Sequence, residues 1–197
     1  MPHATTDETL MGQVVEGDER ALETLIRRHA ASLLSYLARM HADRSRAEDA
    51  FQEVWLSVWT RRRSFDSGRR FKPWLFRIAK NRAVSATRRR RVGVINSDPD
   101  CSAGPSEADG LEQDEALRVA GAAIHRLPPS QREVVCLRLY AALSYVEVAT
   151  VLEITESTAR SQMSLALRAL RASLCGWVDA PVGAQEESPD DRSEARG

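Results

Sequence analysis

A chain of 197 residues with zero formal net charge and 43% hydrophobic residues can form one ordinary domain or two small ones, each with a core. Its three cysteines, Cys101, Cys136 and Cys175, include no CxxC pair and no histidine at ligand spacing; this argues against a disulfide framework, a metal site or a cofactor centre. No apolar run approaches the roughly 20 residues that span a bilayer, so a cytoplasmic protein without membrane insertion is expected.

Aromatic residues make up only 6% of the chain, while Ala, Leu, Arg and Glu recur at helical spacing. The pattern predicts an all-α protein of two small helical domains. The N-terminal MPHATTDETL is polar and acidic. Asp18 is placed to cap a helix running towards Met40, and Ser45 to Glu48 (SRAE) is a capping-box pattern opening another. In that second helix Ala47, Ala50, Phe51, Val54 and Val58 share a core-facing side, and Asp49, Gln52, Glu53, Leu56 and Thr60 form a separate stripe. A third helix starts near Phe71, with Pro73 tolerated in its first turn.

The segment from Val92 to Gly110 combines Pro, Gly, Ser and Asp without helical periodicity and has no basic residue; it reads as a flexible acidic linker. Beyond it, LPPSQREVVCLRLY opens with proline and a Ser130/Glu133 capping-box pattern and leads into a helix. Ser144 to Glu147 (SYVE) begins a short helix ending near Leu152, and Thr155 can cap a longer one with the apolar stripe Ala159, Met163, Ala166 and Leu170. Short helix, tight turn and long helix outline a C-terminal helix-turn-helix. The expected organisation is a first domain over 1–91, a linker over 92–111, a second domain over 112–174 and an acidic disordered tail over 175–197.

Charge is distributed in blocks that cancel. Residues 1–91 carry a net +8, 92–115 a net −7, 116–174 a net +3 and 175–197 a net −4. Within 61–91 lie thirteen Lys or Arg, one acid (Asp66) and four aromatics. A helix from Phe71 to Arg91 groups Phe71, Leu75, Ile78, Ala79 and Ala86 on one side and Arg77, Lys80, Asn81, Val84 and Arg88 on the other. Cations attract phosphates by counterion release. Rings beside them stack unpaired bases, at about 1–3 kcal/mol per base. The cationic side is therefore expected to lie open to a nucleotide chain. Phe71 reads as core, while Trp74 and Phe65 are balanced between core and groove.

Catalysis is not expected: His3, His29, His41 and His125 are scattered, and no phosphate loop, nucleophile elbow or spaced acid–base set appears.

Taken in order, EDAFQEVWLSVW, FKPWLFRIAKNRAVSATRRRR, LPPSQREVVCLRL and LSYVEVATVLEITESTARSQM resemble the motifs of the extracytoplasmic-function (ECF) sigma factors, the compact two-domain class of bacterial RNA polymerase initiation subunit. The resemblance covers nearly all of residues 10–174. It implies binding to core RNA polymerase, recognition of specific promoters and help in opening the minus-ten region, with an anti-sigma factor as a conceivable further partner and no small-molecule substrate. It assigns polymerase contact to Asp49, Gln52, Glu53, Trp55 and Leu56. Minus-ten DNA contact falls to Phe65, Arg69, Arg70, Lys72, Trp74, Arg77, Lys80, Asn81 and Arg88, with the loop Ser64 to Arg70 holding a flipped base. Minus-thirty-five contact falls to Ser157, Arg160, Ser161, Ser164 and Arg168. The chain departs from the family in having Glu153 where glycine is usual, and Gln162, Ser164, Leu165 and Leu167 where basic or histidine residues are usual. A stand-alone helix-turn-helix regulator binding duplex DNA is the alternative, and it leaves the basic-aromatic helix without work.

Overall fold

The computed structural model describes residues 5–41, 43–93 and 115–178. Eight α-helices and one 3-10 turn make up the regular structure among them, with no strand. Four helices form the first unit: α1 (Asp7–Glu16), α2 (Glu19–Met40), α3 (Arg44–Thr60) and α4 (Phe71–Gly93), the 3-10 turn Arg62–Ser64 lying between α3 and α4. The second unit holds α5 (Glu115–Arg126), α6 (Pro129–Leu139), α7 (Tyr145–Leu152) and α8 (Glu156–Val178).

Local chemistry accounts for most boundaries. Thr6 caps α1 by accepting from Thr9 N–H, and Gly17, at φ 102°, ends it in the left-handed conformation that glycine adopts without a Cβ clash. Asp18 caps α2 through the N–H groups of Arg20 and Ala21. The start of α3 differs from the SRAE expectation. Asp43 is the cap, accepting from Ser45 N–H at 3.0 Å, because an earlier acceptor one residue before the helix leaves Ser45 inside the first turn. The start of α6 differs for a related reason: with Pro129 as its first residue and Pro128 preceding it, the helix has no side-chain cap, and Ser130 Oγ turns instead to Gln162 Oε1 at 3.3 Å. At α7 the Ser144/Glu147 capping box is complete.

Helices α1 and α5 have no counterpart in the sequence reading. Helix α4 runs to Gly93, past the expected linker start, and α8 runs to Val178, past the expected end at Leu174. Residues 94–114 and 179–197, with most of the expected linker and tail, lie outside the described residues.

The first core is built from Met11, Val14, Leu25, Leu33, Leu37, Val54, Val58, Phe71, Leu75 and Phe76, each fully buried. Burying such side chains contributes roughly 1.5–3 kcal/mol each. Phe76 meets Tyr36 edge-on at 5.4 Å between centroids. In the second unit Val134, Val135, Leu137, Leu143, Val148, Val151, Ala159 and Ala166 are fully buried. All four residues of the predicted α8 stripe face inward: Ala159 and Ala166 are buried and Met163 and Leu170 half-buried.

The two units pack on each other. Helix α7 lies against α4, and α2 lies against α5 and α6.

Candidate polymerase and nucleic-acid interface

Helix α3 presents its polar stripe outward because the opposite side is consumed by the core. Ala47, Ala50, Val54 and Val58 are buried, while Asp49, Gln52, Glu53 and Leu56 are exposed. Leu56 is 63% exposed, an isolated apolar side chain on a polar surface. Trp55 does not join the stripe. It is only 6% exposed and meets Phe51 edge-on at 6.3 Å, which makes it a packing residue that supports the surface from beneath. Glu53 is not isolated either: Arg82 of α4 approaches its carboxylate at 3.5 Å and donates to Ser57 Oγ at 2.8 Å. The sequence reading missed Arg82, because its link to α3 spans some thirty positions and has no local pattern.

The loop between the 3-10 turn and α4 is organised by Asp66. One of its carboxylate oxygens accepts from Gly68 N–H at 3.0 Å, and the other pairs with Arg69 Nε at 3.3 Å. Phe65 then enters a cluster of rings. Its centroid lies 5.2 Å from Trp74 and 6.1 Å from Phe71, and Phe71 is fully buried. Phe65 and Trp74 are each half-buried, so one part of each ring packs and the rest is accessible. The first amide of α4 is satisfied from afar, Phe71 N–H donating to Glu8 Oε1 of α1 at 3.1 Å.

On α4, Lys72, Trp74, Arg77, Lys80 and Arg82 are half-buried and Asn81 is exposed. Arg88 belongs to the last turns of α4, where side chains lie outside the described residues. The cationic side expected to lie open is accessible in part, with two of its cations near carboxylates of the second unit. Arg70, just before the helix, pairs with Glu147 of α7 at 3.1 Å, and Lys80 is close enough to Glu133 of α6 to oppose the upward shift that burial gives this carboxyl, Arg132 acting in the same sense. These approaches between the units follow charge complementarity, which residue patterns within either unit alone do not disclose.

In the helix-turn-helix, Glu153 makes the turn at φ 60°, ψ 41°, and Thr155 caps α8 by accepting from Thr158 N–H at 3.1 Å. Ser157, Arg160, Ser161, Ser164 and Arg168 are all exposed on α8. Arg160 is held in place by two contacts, Nε to Glu156 Oε1 at 3.0 Å and a guanidinium carbon 4.5 Å from the Tyr145 ring centre. Leu165 and Leu167 are each 43% exposed beside them. Among the described residues no group of three or more potential metal ligands occurs, and no helix is long and apolar enough to cross a membrane.

Two family descriptions match, Sigma-70 region 2 over residues 25–92 and Sigma-70, region 4 over residues 123–172. RNA polymerase sigma factor CarQ of Myxococcus xanthus is 33% identical over 168 residues, 85% of this chain and 96% of CarQ. The chain belongs to the ECF sigma factors. SigL of Mycobacterium tuberculosis, an ECF RNA polymerase sigma factor, is 31% identical over 156 residues, 78% of this chain and 88% of SigL. The fold is shared with CnrH, solved in complex with the cytosolic domain of CnrY, at a TM-score of 0.66 and 23% identity over 86% of this chain and 97% of that one. It is shared also with RpoE of Bartonella quintana, solved with the anti-sigma factor NepR, at 0.63 and 24% over 78% and 96%. This sigma factor is accordingly an RNA polymerase initiation subunit, and the stand-alone regulator is not favoured. Sigma factors as a family are not enzymes.

Proposed function

We propose that this sigma factor divides its work among three surfaces. Asp49, Gln52, Glu53 and Leu56 on α3 dock on core polymerase, with Trp55 supporting them from the core and Arg82 orienting Glu53. Phe65, Arg69, Arg70, Lys72, Trp74, Arg77, Lys80, Asn81 and Arg88 hold the minus-ten strands. Ser157, Arg160, Ser161, Ser164 and Arg168 meet the minus-thirty-five duplex from the start of α8. The units assigned to these tasks are residues 1–91 and 112–174, bridged by the acidic segment, and the site of action is the cytoplasm. Anti-sigma complexes of proteins with this fold make a protein of that class a candidate partner.

The observation that carries the reading is the segregation on α3. A helix with one fully buried side carries opposite it an exposed row of three polar side chains and a 63% exposed leucine, a row tied to the rest of the fold through the Glu53–Arg82 pair. Replacing Gln52 and Glu53 with alanine should reduce co-migration with bacterial core polymerase at least roughly tenfold, as loss of contacts at an interface centre does, while helicity is retained. Unchanged co-migration would refute the docking assignment. Trp74→Ala should slow promoter opening more than it weakens duplex binding, because a stacked base is lost only after strand separation. Equal losses in both would reduce Trp74 to a packing residue.

A further inference from the structure

Helix α1 lies against both stems of the loop 65–70: it packs on the 3-10 turn before the loop and on α4 after it. The loop's own bonds are local. Asp66 accepts from Gly68 N–H and pairs with Arg69, which shapes the loop without fixing it to the helices beneath. A bond from α1 does that: Glu8, half-buried, accepts from Phe71 N–H through Oε1 at 3.1 Å.

The neighbouring carboxylate anchors α1 itself. Asp7 Oδ1 accepts from Arg28 Nη1 at 2.9 Å, and Asp7 Oδ2 lies 2.7 Å from His29 Nε2; Arg28 also donates to the Thr5 carbonyl at 2.7 Å. His29 is buried, and its ring centre stands 5.5 Å from that of Phe71. Phe71 is thus held twice, at its amide by Glu8 and at its ring by His29, and the same ring meets Phe65 and Trp74, each at 6.1 Å. Phe65 enters the loop and Trp74 follows it, with their centroids 5.2 Å apart. That spacing depends on the two stems keeping their positions.

We infer that Glu8 is a positioning residue for promoter opening: from α1, pinned on α2 through Asp7, it fixes the first turn of α4 so that Phe65 and Trp74 stand at the spacing a separated base requires. The inference rests on the proposed role of these rings in holding the minus-ten strand. Binding of closed duplex does not need that spacing, because contacts between flexible cations and phosphates position the duplex without reading a base. Holding an unpaired base does need it. A site that must first be ordered loses part of its contact energy to the ordering, and side chains that receive a ligand work when supporting bonds hold them to within about 0.5 Å. Glu8 supplies such support without touching the strand, since its carboxylate is turned to the Phe71 amide.

The test uses the full chain assembled with bacterial core polymerase, on a duplex promoter selected by the parent holoenzyme from a random-sequence pool, at a temperature well below unfolding so that a weaker cap leaves the chain folded. Opening is followed by permanganate reactivity of unpaired thymines, and closed binding by retention of the same duplex in the cold, where its strands stay paired. Glu8→Ala should open this promoter about fivefold more slowly, the factor to which loss of one helix cap corresponds, with closed binding and co-migration with polymerase unchanged. Glu8→Gln should open it at nearly the parent rate. Both variants remove the same negative charge, so the difference between them reports the bond to Phe71 N–H and not the charge. In a Trp74→Ala background Glu8→Ala should add no further slowing, because a residue that acts through the rings loses its effect when the ring is gone. A parental rate in Glu8→Ala, equal slowing by alanine and glutamine, or an undiminished further loss in the Trp74→Ala background would each overturn the inference. So would equal losses in opening and in closed binding, the mark of a residue that only holds the helices together. Failure of the ring assignment itself looks different: Trp74→Ala alone would then open the promoter as fast as the parent, and the inference would fall with it.

Discussion

Glu153 holds a backbone conformation, φ 60°, in which a Cβ crowds the neighbouring carbonyl at a cost of roughly 1–2 kcal/mol, and which glycine adopts freely. Ala142, at φ 48°, stands in the turn before α7 in the same condition. Both are exposed, so replacing either removes strain without leaving a cavity. Glu153→Gly and Ala142→Gly should each raise the denaturation midpoint, by up to about 1 kcal/mol of stability after the extra entropy of unfolded glycine is offset, with the denaturant slope unchanged. A loss of stability at Glu153 would show that its side chain contributes something beyond its position in the turn. The departure from the family at Glu153 was legible in the sequence; its conformational cost was not, since only the backbone angle separates a strained turn residue from a helical one.

At the scale of elements, legibility followed the range of the chemistry that sets each boundary. Helices α2, α7 and α8 begin at Asp18, Ser144 and Thr155 because each side chain caps amides two or three residues ahead, a pattern readable in a short window. The apolar stripes of α3 and α8 are equally local. Helix α1 is short, and its polar start conceals that Leu10, Met11 and Val14 enter the core. Asp7 is engaged there by Arg28 at 2.9 Å and by His29 at 2.7 Å, contacts twenty or more residues distant. The cap of α4 was invisible for the same reason, being supplied by Glu8 from 63 positions away. This yields a prediction. Glu8→Ala should destabilise the first unit by about 1 kcal/mol, the usual worth of a lost cap, and Glu8→Gln should restore most of it, because an amide oxygen still accepts from Phe71 N–H. Urea denaturation of the three proteins measures both effects, and equal losses in the two variants would assign Glu8 a purely electrostatic role.

At the scale of the whole molecule, the junction between units is what a linear reading could not supply, and it has a consequence for pH. His125 is held below the ordinary imidazole range by burial first, then by the charges of Arg132 and Arg39, the last contributed by the other unit. His41 is lowered by burial and by Arg46. A histidine whose folded pKa is depressed contributes stability that is complete above its unfolded value, about 6.5, and is lost as pH falls through the folded value, since over that interval the unfolded chain binds more protons. Thermal stability should therefore be flat between pH 7 and 8, within the precision set by about 6.5 as the titration midpoint, and decline on acidification below it. Asp7, where burial raises the carboxyl but the Arg28 hydrogen bond and the neighbouring His29 and Arg28 charges prevail and lower it, adds a further loss only in much stronger acid, as pH falls through its depressed value. His125→Gln should flatten the first decline. Arg39→Ala should flatten it in part, because it removes a charge that repels the protonated ring. A decline equally steep in Arg39→Ala and the parent would place the whole effect within the second unit and show that the junction has no share in the acid response.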